Sequence, residues 1–115
     1  MVIGAEAPAE VEEEWSAWYS REHTPDACKF RGIRKATRYQ MVSAAALNIT
    51  PDPRGEQGYP KYLAVYEFES QQALKEWDTS RERQHCVNEW AKNWLNKGPE
   101  LKLRLYYKPI MTLHK

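Results

Sequence analysis

His23 is the residue of this sequence whose type and position point most directly to chemistry. It follows Glu22 and precedes Pro25 at the end of a segment with helical spacing. Imidazole is the side chain that titrates closest to neutral pH, so it commonly accepts and returns protons in catalysis. The position therefore predicts a general base or acid that removes a proton next to a carbonyl group. The structural alternative is that His23 caps the helix, where its N–H groups would bond to free carbonyl groups.

Two tyrosines and one arginine are predicted to assist that proton transfer. Tyr39 and Tyr66 carry hydroxyl groups that can donate hydrogen bonds to the oxygen of a developing enolate, and Arg38 can hold the same oxygen. Glu67 lies on a predicted strand face whose other members are apolar, where an unpaired carboxylate would be costly if that face is buried. Arg38, on the neighbouring strand, is expected to pair with Glu67, either as a structural ion pair or as a substrate-orienting set.

Aromatic side chains with a polar handle dominate the large residues. The chain has five Trp and seven Tyr but only two Phe, and such rings both pack cores and line pockets. We predict Trp18, Trp77 and Tyr107 as contacts to a hydrophobic small-molecule substrate, with core packing as the alternative for both tryptophans. His85 is predicted as a further contact, with a surface position as the alternative.

Neither a metal nor a cofactor is predicted. Cys28 and His23 are five residues apart and Cys86 is adjacent to His85, and neither spacing matches ordinary zinc ligands. The sequence has no phosphate-binding loop, nucleotide fingerprint or nucleophile motif.

Hydrophobic periodicity predicts an α+β domain that positions these residues. Apolar spacing predicts an aromatic first helix that Pro25 ends, a long loop over 43–60, and a capping box formed by Thr79 and Glu82 before a last helix. The buried stripe of that helix is expected to be Val87, Trp90, Ala91, Trp94 and Leu95. Strands are predicted over 1–5, 33–42, 61–69 and 101–108, where Pro109 terminates the last.

The resulting order is β-α-β-β-α-β, which is typical of a ferredoxin-like fold with a four-stranded antiparallel sheet and helices on one face. Several strands place apolar residues on the other face. A second copy of the chain is the expected cover, so we predict a homodimer with sheets packed face to face.

Length and charge restrict the class of protein. The 115 residues fit one domain, 1–115, and the formal net charge of +1 argues against a nucleic-acid partner. No apolar run approaches the roughly 18 residues of a membrane span, and the acidic N-terminal segment lacks the basic region of a signal peptide. We therefore expect a cytoplasmic protein with no membrane partner.

Several segments resemble the dimeric α+β barrel proteins of the EthD type. The run Trp18–Pro25 is similar to the family's W-Y-x-x-E-H-x-P signature. Gly32–Tyr39, Tyr62–Glu67 and Leu103–Ile110 are similar to its second, third and last strands. The resemblance implies a dimeric α+β barrel, similar to small fungal polyketide-pathway dehydratases and cyclases, and implies an acid–base role for His23. Haem-degrading relatives add an iron ligand as a further alternative for His85.

The residues and the resemblance together predict a cofactor-independent enzyme acting on a polyketide-like carbonyl compound. Enolisation by His23 would be followed by cyclisation, dehydration or isomerisation. A cofactor-free monooxygenase on a similar substrate is one alternative. The others are a small-molecule-binding or stress-related dimer without catalysis and, more weakly, a protein that binds another protein through an exposed patch.

Overall fold

The computed structural model describes residues 1–42 and 59–115, so most of the predicted 43–60 loop lies outside the described residues. Its strands form one antiparallel sheet in the order β2-β3-β1-β4, which confirms the ferredoxin-like α+β fold. A π-helical turn, Tyr19–His23, joins the first two helical segments. The elements are β1 (Val2–Glu6), α1 (Ala9–Trp18), α2 (Thr24–Ala27), β2 (Ile33–Gln40), β3 (Tyr62–Phe68), α3 (Gln71–Trp77), α4 (Arg81–Trp94) and β4 (Glu100–Leu105).

The central strand β3 separates a helix-covered face from an open face. Tyr62, Ala64 and Tyr66 are buried against the helices, whereas Leu63 and Val65 lie on the other face and are only half-buried. This alternation is the one predicted from the period of two in the sequence. The cavity described below therefore has a floor formed by one side of the sheet.

The first helix does not end at Pro25, as its sequence predicts, but continues to Ala27. The backbone N–H of Thr24 donates to the carbonyl of Tyr19, a wider π-type step. In a regular α-helix the Pro25 ring would clash with the carbonyl four residues earlier. The π-helical turn comes immediately before Pro25, and this wider step is how the chain accommodates the ring without leaving the helix.

The start and the buried face of α4 also differ from the prediction. Ser80, not Thr79, caps the helix, because its hydroxyl accepts from the backbone N–H of Arg83 at 3.1 Å. Cys86 and Trp94 are buried and Trp90 is half-buried, whereas the predicted stripe members Val87 and Leu95 are exposed. The stripe begins one residue earlier than expected, since Cys86 serves as a small apolar residue there.

Strand β4 is shorter than predicted and contains a bulge. Gly4 pairs with Leu103, but the next residue, Ala5, pairs with Leu101, so one extra β4 residue is inserted. The bulge reverses the alternation and turns Leu101 towards the helix-covered side with Ala5. A Cβ atom at Gly4 would come within 2.7 Å of the Leu103 side chain, so glycine is required where the strands approach.

Trp15 is the centre of the core and is fully buried. Its ring meets Tyr19, Tyr62 and Trp90 edge-on at centroid distances of 5.4, 5.3 and 6.2 Å. These edge-to-face pairs join α1 to the sheet and to α4. They fix the direction in which the π-helical turn presents its side chains.

Candidate active site

A cavity of about 240 Å³ lies between the helix-covered face of the sheet and the helices. Most of its lining is apolar or aromatic, with a few polar groups, which is the usual composition of a small-molecule site. The lining residues are Met1, Ile3, Tyr19, His23, Ala27, Tyr66, Trp77, Arg83, Cys86, Val87, Trp90, Leu101 and Arg104.

His23 lies at the end of the π-helical turn, inside a cage of aromatic rings. Its ring centroid is 4.7 Å from that of Tyr19, 5.1 Å from Trp18 and 5.6 Å from Trp90. Its Nδ1 atom is buried and has no hydrogen-bond partner among the described residues. Because the helix continues past it and its side chain makes no capping bond, the helix-capping alternative for His23 does not hold.

Burial lowers the pKa of His23 from 6.5 to about 4. The positive charge of Arg38 lowers this pKa further, whereas the carboxylate of Asp26 opposes the change. The imidazole is therefore neutral near pH 7 and is able to accept a proton. Its protonated form requires a new negative charge nearby to be stable.

Two tyrosines line the same cavity, Tyr66 from β3 and Tyr19 from the π-helical turn, and their hydroxyl groups are hydrogen-bonded to each other. Burial raises the pKa of both, that of Tyr19 well above 10. Both hydroxyl groups therefore stay protonated and can donate hydrogen bonds. Sequence reasoning did not single out Tyr19 as a site residue, although its spacing of four residues from His23 already placed the two on one helix face.

Tyr39 does not line the cavity. It is 54% exposed and pairs with Leu63 on the open face of the sheet. Successive strand residues point to opposite faces, and the preceding residue, Arg38, points towards the helices. Tyr39 and His23 therefore lie on opposite sides of the sheet.

Arg38 contacts the helix rather than Glu67, so the predicted pair between them is wrong. Its Nη1 donates to the carbonyl oxygen of Ser16 and to Oγ of Ser20, both at 2.7 Å, and its guanidinium lies 4.3 Å from the Tyr19 ring centroid. Glu67 is on the opposite sheet face, 3.9 Å from Lys35 Nζ. Arg38 thus holds the Tyr19 ring from outside the cavity.

The other predicted contacts are divided between the cavity and the surface. Trp77 lines the cavity, whereas Trp18 packs behind His23 and does not. His85 is exposed and bonds to Asp26 Oδ2 at 3.1 Å, which links α4 to α2. Tyr107 follows the end of β4 and is 71% exposed.

Of the thirteen lining residues, the sequence singled out only His23, Tyr66 and Trp77 as site residues. Among those it missed, Arg83, Cys86 and Arg104 carry a charged group or a thiol. The shifted face of α4 brings Arg83 and Cys86 to the cavity, and the pairing of Arg104 with Ile3 places Arg104 on the same side of the sheet. Neither feature has a clear sequence signal. Burial raises the pKa of the Cys86 thiol to about 12, so at neutral pH it is an apolar group rather than a nucleophile. Among the described residues, no group of three His, Cys, Asp or Glu side chains could hold a metal ion.

The fold is similar to that of EthD-type α+β proteins. Among solved structures, the chain is similar to the crystal structure of an ethyl tert-butyl ether d (EthD) family protein from Bacillus halodurans C-125. The two share 17% identity with a TM-score of 0.58, over 92% of this chain and 96% of the other. This likeness shows the fold alone.

The chain belongs to the family described as Domain of unknown function (DUF4286), whose model matches residues 3–102. A comparison with curated proteins gives no significant match. Within the described parts of the chain, none of the helices has the length and apolar character needed to cross a membrane.

Proposed function

We propose that this protein is a cofactor-independent enzyme that moves a proton next to a carbonyl group of a small hydrophobic substrate. The observation that carries the proposal is the neutral, caged imidazole of His23, which lines the same cavity as the hydroxyl groups of Tyr19 and Tyr66. A base and two hydrogen-bond donors around one apolar space are the groups that enolisation requires.

In this mechanism His23 takes a proton from the carbon beside the substrate carbonyl. The C–H electron pair forms the C=C bond of an enolate, whose oxygen accepts hydrogen bonds from the tyrosine hydroxyl groups. The imidazolium then returns the proton to a different carbon in an isomerisation, or to a leaving hydroxyl group in a dehydration. In a cyclisation, the enolate carbon attacks a second carbonyl group and the imidazolium protonates the resulting alkoxide.

The expectation of a polyketide-like carbonyl substrate belongs to this proposal, as does a cytoplasmic homodimer. The dimer is supported by half-buried Leu63 and Val65 on the open sheet face and by Ile110, which is 92% exposed beyond β4. A cofactor-free monooxygenase would form the same enolate and trap it with dioxygen, so oxygen consumption separates the two reactions.

A second candidate function is ligand binding without catalysis. It is favoured by one observation: a pKa of about 4 makes His23 a weaker base than an imidazole of ordinary pKa. In that case the ligand leaves unchanged, and His23 serves only as a neutral polar contact.

Deuterium exchange distinguishes the two functions. Purified protein is incubated in D₂O with a panel of small aryl ketones and 1,3-diketones, and loss of the proton beside the carbonyl is followed by NMR. We expect protein-dependent exchange that falls by about 10²- to 10⁴-fold in His23→Gln. The matched control, His85→Gln, removes an exposed imidazole outside the cavity and should exchange like the wild type. Exchange that is equal in all three proteins would refute the role of His23.

A further inference from the structure

The cavity is apolar but carries an unbalanced positive charge. Two of its lining residues are arginines, and none of the described lining residues is Asp or Glu. Arg104 forms an ion pair with Asp78, so its charge is locally compensated. The guanidinium of Arg83 makes no ion pair or hydrogen bond with any described residue. Arg83 therefore lines an apolar cavity without a counterion from the described chain.

The size of the cavity restricts the apolar part of a ligand. An engineered cavity of about 150 Å³ is large enough to bind benzene, so about 240 Å³ accommodates one ring with a short side chain. The rings of Trp77 and Trp90 and the side chain of Leu101 offer flat, apolar contacts to such a body.

We propose that the cavity binds a small organic anion, with a ring-sized apolar body against the rings of Trp77 and Trp90 and a carboxylate paired with Arg83. The proposal rests on the proposed function, because it names the substrate class of that same site. A guanidinium matches a carboxylate geometrically and can donate two parallel hydrogen bonds to it. His23 adds no formal charge near pH 7, so Arg83 is the group that selects the charge of the ligand.

A matched series of probes tests the charge preference. 3-Phenylpropionate, its uncharged amide and 2-phenylethylamine share the ring and differ in the charge of the end group. Binding is measured by tryptophan fluorescence, because Trp77 and Trp90 line the cavity, and by calorimetry. We expect the wild-type protein to bind the carboxylate about 10- to 100-fold more tightly than the amide, the range for charge-assisted hydrogen bonds.

Two variants on the same helix locate the preference. Arg83→Gln should bind carboxylate and amide about equally, whereas Arg81→Gln, which changes an exposed arginine outside the cavity lining, should keep the wild-type ratio. Equal binding of the carboxylate and the amide by the wild type would overturn the proposal, as would tighter binding of the amine. A preference retained in Arg83→Gln, or no binding of any probe at millimolar concentration, would also overturn it.

The probe-binding test of the anion site and the deuterium-exchange test of the enzyme can fail independently of each other. Carboxylate preference without exchange activity on any carbonyl probe would refute the enzyme and leave the anion site. Exchange activity on neutral ketones without carboxylate preference would refute the anion site and leave the enzyme.

Discussion

Replacing His23 by glutamine should remove a large part of the acid sensitivity of the folded protein. Burial lowers the pKa of this imidazole to about 4, whereas the unfolded chain takes up the proton near pH 6.5. Between these two values the unfolded state binds more protons than the folded state, so stability falls as the pH falls through this window. Above pH 6.5 His23 is neutral in both the folded and the unfolded state. Its titration therefore does not lower the free energy of unfolding there.

The magnitude follows from the gap of about 2.5 pH units between the two pKa values. At about 1.4 kcal/mol per unit this is roughly 3.5 kcal/mol, and solvent screening of a half-buried ring reduces it to about 2 to 3 kcal/mol. Such a loss is a large fraction of the stability of a domain of this size. Other groups, Asp26 among them, also titrate at low pH, so the difference between variant and wild type is the informative quantity.

Urea unfolding at intervals between pH 7.5 and pH 4 measures this difference. The free energy of unfolding of the wild type should fall by about 2 to 3 kcal/mol more than that of His23→Gln. His85→Gln, with its exposed imidazole, should follow the wild type. Parallel pH curves for the wild type and His23→Gln would refute the reasoning, and so would an NMR titration that places the pKa of His23 above 6.

Two further predictions concern the core and the open sheet face. Trp15→Ala should destabilise the protein by about 3 to 5 kcal/mol in urea unfolding, because it removes a fully buried ring; a loss below 1 kcal/mol would contradict its central position. Val65→Asp places a carboxylate on the open sheet face and should convert the proposed homodimer to monomers in sedimentation experiments, whereas Lys35→Asp, on the same face but already charged and exposed, should not. A monomeric wild type would refute the dimer.

Hydrophobic period was sufficient to predict the sheet from the sequence. The alternation Tyr62, Ala64, Tyr66 against Leu63 and Val65 indicates a half-buried strand because side chains on a strand alternate between faces. The strand β3 follows this rule closely, and the fold class follows from the order of elements. The same period placed Tyr66 on one strand face with Tyr62 and Ala64, which the structure shows to be the helix-covered face.

The sequence-based prediction is wrong where a single residue changes which side chains of a strand or helix are buried. The extra residue in β4 turns Leu101 to the cavity side, and the π-helical turn carries the helix past Pro25. The bulge and the π-helical turn both relieve local steric conflicts of the backbone. Neither changes the amino-acid composition of its segment, so neither can be recognised from composition. Arg83 illustrates the consequence: its charge is visible in the sequence, but its position on the cavity depends on which face of α4 is buried.

Sequence reasoning chose Arg38 as the cation of the site, and the structure gives that residue a different relation to the cavity. Arg38 is engaged with Ser16 and Ser20 and lies over the outer face of the Tyr19 ring, so it positions a hydrogen-bond donor without facing the ligand. Arg83 faces the cavity and lacks a partner among the described residues. The sequence suggested one arginine for both positioning and ligand binding. In the structure Arg38 positions Tyr19, and Arg83 is the arginine available to the ligand.

Under the two proposals, the charge of the ligand and the proton on His23 are coupled. A carboxylate at Arg83 brings a negative charge into the cavity, and a nearby negative charge favours the imidazolium over the neutral ring. This coupling is reciprocal: a bound carboxylate raises the proton affinity of His23, and protonation of His23 raises the affinity for the carboxylate. The ligand that raises the basicity of His23 is therefore the one on which His23 can act best as a base. The low pKa of His23 then suits an enzyme whose imidazole becomes basic enough for proton transfer only after a carboxylate substrate has bound.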